Sequence, residues 1–162
     1  MRMKNLIVLV LLLFMSGSVV NAQDYEYIGA KKCKMCHNKP ATGAQYKQWL
    51  GTKHAKAMES LKGDEKNDPK CLKCHSTVGH ADPDLVLTLK VTEGVSCESC
   101  HGAGSAYKSK AVMKSREKSV AKGLIIPNEE TCKTCHNDES PHFKGFNYEE
   151  YLKKIVHPVP TK

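Results

Sequence analysis

The sequence predicts a mainly α-helical fold of short helices and loops, with little β structure, wrapped around something other than its own side chains. Three observations lead there. Only 3 of 162 residues are Phe and 1 is Trp, and much of the 40% hydrophobic content sits in the first twenty positions, which leaves the remainder poor in core formers. Eight Cys and eight His recur too regularly for a solvating tail. The length suits about one domain and excludes long repeat arrays and multi-domain enzymes.

The first segment accounts for part of that composition. Met1 to Asn5 carries Arg2 and Lys4, Leu6 to Met15 is unbroken apolar sequence, and Ser16 to Ala22 is small and polar, ending Val20-Asn21-Ala22. This is the pattern of a cleaved secretory leader over residues 1–22. An apolar run of ten is short of the roughly twenty residues that a spanning helix needs, and no Cys follows the site to take a lipid. The expectation is a single mature domain, 23–162, without a membrane span, in a periplasmic or extracellular compartment where disulfides are permitted.

The cysteines fall into four pairs, Cys33/Cys36, Cys71/Cys74, Cys97/Cys100 and Cys132/Cys135, and His follows each pair at once, as His37, His75, His101 and His136. Disulfides or zinc sites explain C-x-x-C alone. They do not explain the histidines. At this His content a given position is His about one time in twenty, so four of four by chance is on the order of one in a hundred thousand, whereas c-type haem attachment requires C-x-x-C-H. Two thiols three residues apart share one face of a helical turn and add to the two vinyl groups of one haem; the adjacent imidazole then turns onto the iron. Four motifs imply four c-type haems, stacked inside the chain and supplying the apolar bulk that it lacks.

Four histidines remain: His54, His80, His142 and His157. From about Gly43 to Leu61 the pattern reads as a helix with Leu50, His54, Met58 and Leu61 on one stripe, which points the His54 imidazole inward, where an iron is the available partner. His157 follows a short helix opened by Asn147 and Glu150 as a capping box, carrying Leu152, Ile155 and Val156 and stopped by Pro158. Both are expected distal iron ligands. His80 and His142 lie too few residues after His75 and His136 to reach around the same haem, so each is a surface residue or serves another haem or a neighbouring molecule.

Tyr27-Ile28-Gly29 before the first motif, then Trp49 and His54-Ala55-Lys56-Ala57-Met58-Glu59-Ser60-Leu61, resemble the tetrahaem cytochrome c-554 family. Gly94 to Gly102 around the third motif and Leu152 to Pro158 extend the resemblance over nearly the whole mature chain. It implies that His54 serves the haem on His136, that His157 serves the haem on His101, and that the haem on His75 lacks a second protein ligand. The family also places a distal His for the first haem shortly after the third motif, where this chain has Lys108 and Ser109. Met113, on an expected helix from Tyr107 to Lys122, is a thioether that can bind haem iron, and His80 and His142 compete for the same place.

Elsewhere, Asn128 caps a helix before Cys132, Leu85 to Val91 alternate as a strand or extended strut, Gly123 ends a helix, and residues 62–70 form a solvated loop. The formal charge of +8 falls to +6 without Arg2 and Lys4, and four haems with their propionates would contribute about −4 more. Nucleic acid is therefore not implied. Six cations between Lys108 and Lys122 form either a solvated face or a docking face for an acidic redox partner. Taken together, the sequence indicates an electron carrier between redox proteins; a reductase of nitric oxide or hydroxylamine at one open haem and a self-assembling filament subunit are the alternatives. Purified mature protein should show the mass of the polypeptide plus four haems that survive acid-acetone extraction, and free thiols or disulfides at any pair would lower that count.

Overall fold

The computed structural model describes residues 25–157. The expected leader, residues 1–22, and Pro158 lie outside the described residues. Each Cys-x-x-Cys-His run begins on a short helix of its own: α1 (Ala30–His37), α3 (Pro69–His75), α4 (Cys97–His101) and α7 (Glu129–Lys133), the last ending before Cys135 and His136. The other helices are α2 (Gln45–Leu50), α5 (Lys110–Met113), α6 (Arg116–Val120) and α8 (Tyr148–Ile155). None among the described residues is long and apolar enough to cross a membrane.

Local capping explains why these segments fold as they do. Pro69 opens α3 after Asp68, whose carboxylate accepts the Lys70 amide at 2.8 Å. Asn128 accepts the Thr131 amide at 3.0 Å, and the Thr131 hydroxyl accepts the Asn128 amide at 3.3 Å, a reciprocal box that starts α7. In α8 the Asn147 half of the expected box forms, at 3.1 Å to the Glu150 amide, while Glu150 itself stays exposed. Gly123, at φ +93°, follows α6 with the Leu124 amide donating to Ser119, the expected glycine stop.

Two expected helices are broken. The one from Gly43 to Leu61 ends at Leu50: the Thr52 hydroxyl donates to the Trp49 carbonyl at 2.7 Å and accepts the Ala55 amide, which replaces the next helical turn with local bonds. Its stripe does not survive, since Leu50 is exposed and Leu61 buried. The Tyr107–Lys122 helix is instead α5 and α6, separated because Ser115 caps a new start by accepting the Lys118 amide at 3.2 Å. The alternating Leu85–Val91 stretch forms one isolated parallel bridge, Tyr27 with Val86, bounded by 3₁₀ turns at Pro83–Leu85 and Val91–Glu93. The exposed loop after Leu61 holds a single 3₁₀ turn, Gly63–Lys66.

The interior is small and polar. Its buried apolar members are Ile28, Ala30, Leu61, Ala81, Leu89 and Tyr107, and beside them lie Ser76, Thr77, Ser96, Glu98 and Ser119. Glu98, 2% exposed, accepts the amides of Ile28, Gly29 and Gly104 at 2.7–3.1 Å. Glu93 accepts the Ala30 amide at 2.7 Å, so two carboxylates serve the start of α1, whose Gly29 N-cap has no side chain to do so. The Thr77 hydroxyl accepts the Ser96 amide at 2.8 Å and lies 2.6 Å from the Ser99 hydroxyl, which joins the end of the second motif to the third.

Glu98→Ala would leave three buried amides unpaired. At about 1–3 kcal/mol each, the loss of stability should reach about 3 kcal/mol or more, with Glu98→Gln falling between the variant and the parent. Urea unfolding of the loaded protein measures it. A change within about 0.5 kcal/mol would show that the clamp is dispensable.

Candidate haem and iron sites

The thiols arrange the four motifs in a spatial order that differs from their order in the chain. Cys33 and Cys97 lie side by side, and the neighbouring Cys33 thiol together with burial raises the Cys97 thiol above its usual range. Burial, followed by the neighbouring Cys132 and Cys135, pushes Cys100 up to about 11. Burial and then Cys135 raise Cys74, and the Cys135 sulfur lies 3.8 Å from the Lys73 carbonyl. The motifs therefore follow one another first, third, fourth, second. Among the described residues no disulfide joins the eight cysteines, and no three His, Cys, Asp or Glu side chains gather as a site for a bare metal ion.

Cys36 stands apart from the other seven cysteines. It is exposed, whereas the other seven are partly covered. The reason is its place on α1. The third motif covers only the start of that helix, where Ala30 is buried and Cys33 meets Cys97, while Lys34, Met35 and Cys36 on the last turn are exposed. Beyond them the chain turns back through the 3₁₀ turn Pro40–Thr42, and the Thr42 hydroxyl donates to the Cys36 carbonyl at 2.6 Å, fixing the backbone there without covering the thiol. An attachment thiol at the surface accords with a first motif that stands at one end of the line, with a neighbour on one side only.

Three of the four motif imidazoles are oriented through Nδ1. His75 Nδ1 lies 2.9 Å from the Ala57 carbonyl, His101 Nδ1 lies 3.2 Å from the Ile125 carbonyl, and His37 Nδ1 lies 3.3 Å from Gln45 Oε1. Gln45 presents that oxygen because its amide nitrogen donates to the Thr42 carbonyl. A carbonyl only accepts, so Nδ1 carries the hydrogen and Nε2 keeps its lone pair for a metal. His136 is held differently: its ring stacks on Phe146, with centroids 4.9 Å apart and planes 19° from parallel, and meets Tyr151 edge-on at 5.6 Å.

The structure brings two of the remaining histidines against motif rings. His54 and His136 have centroids 6.1 Å apart, and His101 and His157 5.9 Å apart. Two metal–nitrogen bonds of about 2 Å each, plus the distance from each nitrogen to its own ring centre, make up a separation of this size. Burial, reinforced by His136, lowers His54; burial likewise lowers His101, His136 and His157. All four imidazoles are biased toward the neutral form that binds metals. His54 reaches its place because the turn that carries it is docked: Trp49 Nε1 donates to the Val95 carbonyl at 2.9 Å, and the Val95 amide donates to the His54 carbonyl at 3.0 Å. Gly94, at φ +63°, passes so close that a Cβ there would lie 2.7 Å from the same carbonyl.

His80 and His142 are exposed, and neither is brought against a motif ring. His80 instead lines a cavity of about 530 Å3 shared with Cys135, Glu98 and Ile125. The Met113 sulfur accepts the Ser119 hydroxyl at 3.8 Å, within the α5–α6 pair. Sequence reasoning passed over Gln45, Ala57, Ile125, Phe146 and Tyr151. Backbone acceptors such as Ala57 and Ile125 leave no trace in side-chain identity, although Phe146 and Tyr151 stand out as two aromatics close together in a chain with few.

The arrangement fits haem. Each thiol pair lies beside an imidazole, and the cavity is of the size that takes a prosthetic group. His157 Nδ1 is buried without a hydrogen-bond partner, an orphan that a ligand at the ring would account for. Ile125, Ile126, Tyr151, Leu152 and Val156 are exposed apolar residues that a porphyrin would cover. Residues 32–102 match the family described as cytochrome c554 and c-prime. The chain is also 34% identical over 154 residues to cytochrome c-554 of Nitrosomonas europaea, covering 76% of this chain and 63% of that relative. The chain is similar to the cytochrome c-554 family. It spans a little under two thirds of that relative's length, and no solved structure matches it. That likeness points to c-type haem and its iron.

Proposed function

We propose that the protein is an exported electron carrier, a single tetrahaem domain over residues 23–162 that works between redox proteins in a periplasmic or extracellular compartment. Haem is joined at Cys33/Cys36, Cys71/Cys74, Cys97/Cys100 and Cys132/Cys135. The irons are held by His37, His75, His101 and His136, with His136 and His101 opposed by His54 and His157. The observation that carries this reading is the pairing of two motif imidazoles with imidazoles from distant parts of the chain, at 6.1 and 5.9 Å.

Bound haem would supply the ferric/ferrous couple and a conjugated ring able to take up and release an electron. What the polypeptide contributes is placement. The contact of Cys33 with Cys97 holds the first and third motifs together, Cys100 beside Cys132 and Cys135 joins the third to the fourth, and Cys135 beside Cys74 joins the fourth to the second. With haem bound at each motif, electrons would pass along that line, with its ends at the first and second motifs as the exchange points. The exposure of Cys36 leaves an edge of the first site open to a partner protein. His54 and His157 close the far sides of the inner two sites, which keeps small molecules off those irons.

A second reading rests on a specific observation: among the described residues no imidazole outside the motifs makes a ring contact with His37 or His75, so small nitrogen compounds would bind at the ends of the line. Stopped-flow mixing of reduced protein with nitric oxide distinguishes the two. Fast stoichiometric binding followed by turnover would overturn the pure-carrier reading. The carrier reading also requires that His54→Ala convert one of four irons from low to high spin and raise its potential, with the other three little changed. An electron paramagnetic resonance spectrum without a new high-spin signal would remove His54 as a ligand.

A further inference from the structure

We infer that Phe146 and Tyr151 are positioning residues for the His136 imidazole, doing for the fourth site by ring packing what a hydrogen-bond acceptor does for the other three. This rests on the haem reading above. His37, His75 and His101 each have an oxygen at Nδ1 that resists rotation about the Cβ–Cγ bond. Among the described residues no hydrogen bond reaches the His136 ring. Its plane is set instead by Phe146, stacked at 4.9 Å and 19°, with Tyr151 edge-on at 5.6 Å and 69°. Such offset stacked and edge-to-face contacts are the favoured geometries of aromatic pairs.

The clamp is itself braced. Phe146 and Tyr151 touch each other with centroids 4.9 Å apart, and Lys154 Nζ stands 4.7 Å over the Tyr151 ring. If His136 turned about its side-chain bond, it would lose overlap with Phe146 and press into Tyr151. The clamp therefore fixes the angle of 55° between the His136 and His54 planes. It differs from an Nδ1 acceptor in one respect: stacking fixes the ring plane without drawing on the Nδ1 hydrogen.

The relative angle of two axial imidazoles governs the g values of a low-spin ferric haem, whereas general loss of stability does not. The test uses the loaded, full-length protein with haem content verified by intact mass. Phe146→Leu keeps an apolar side chain and removes the stack. It should shift the low-spin signal of one haem in four, the same signal that His54→Ala converts to high spin, and leave the other three unchanged. Phe146→Tyr keeps the stack and should restore the parent signal; Tyr151→Phe keeps the edge contact and should change little. If Phe146→Leu gives a spectrum superimposable on the parent with all four haems present, the positioning role is wrong while the haem reading stands. Absence of haem from Cys132 and Cys135 in the parent protein would overturn both.

Discussion

Glu98 lies inside the third motif, between the two cysteines, and yet its carboxylate accepts amides from Ile28, Gly29 and Gly104. The start of α1, the third motif and the loop after it are therefore held around one side chain. Through that clamp Cys33 comes to lie beside Cys97. The same loop continues to Tyr107, whose hydroxyl donates to the Gly102 carbonyl at 2.8 Å, and the chain returns at Ile125, whose amide donates to the His101 carbonyl at 2.9 Å. A chain with so few large apolar residues positions its segments by buried hydrogen bonds. Such bonds are directional, and leaving one unmade is costly, so they specify one arrangement where a loose apolar core would tolerate several.

That polar economy explains the surface as well. A domain whose own core is about as small as this one is usually stapled or filled by something else. Val120, Ile125 and Ile126 stand exposed on one stretch, and Tyr151, Leu152 and Val156 on another, beside the two pairs of facing imidazoles. Apolar side chains gathered around metal-ligating groups are what a porphyrin face requires. A haem covering them would place part of the hydrophobic burial of this fold between protein and cofactor.

The thiol pairs and their histidines were legible in the sequence because covalent attachment ties residue identity to fixed spacing. How deeply each thiol sits was not, and Cys36 at the surface shows why: spacing is local, whereas cover comes from whichever motif packs alongside. The pairing of His54 with His136 and of His157 with His101 was not legible from spacing either: it joins residues tens of positions apart and entered only through family resemblance. The helices read from periodicity were overextended for a physical reason. At Thr52 and Ser115 a hydroxyl satisfies the backbone locally, and hydrophobic periodicity carries no information about that competition. Where the signal was a cap, as at Asn128 and Gly123, the expectation held, and at Asn147 half of the expected box formed. The Nδ1 acceptors were beyond reach, since a backbone carbonyl at Ala57 or Ile125 looks the same whatever the residue.

The spatial order of the motifs places a demand on the segment between the first two. The second motif is next in sequence but last in space, so residues 38–70 must run from one end of the line to the other. This stretch does more than connect. Gln45 orients His37 at the first motif, His54 faces His136 at the fourth, and Ala57 orients His75 at the second. Its middle is pinned to the approach to the third motif by Trp49 and Val95, with Gly94 leaving room for the His54 carbonyl. One linker therefore reaches three of the four sites: it orients His37 and His75 and places His54 opposite His136. The fourth, at His101, is set from the C-terminal half, by Ile125 and His157. The consequence is that the sites are not independent modules along the chain: a displacement of the turn at His54 would move the ligand of one site and, through Ala57 three residues on, the orientation of its neighbour.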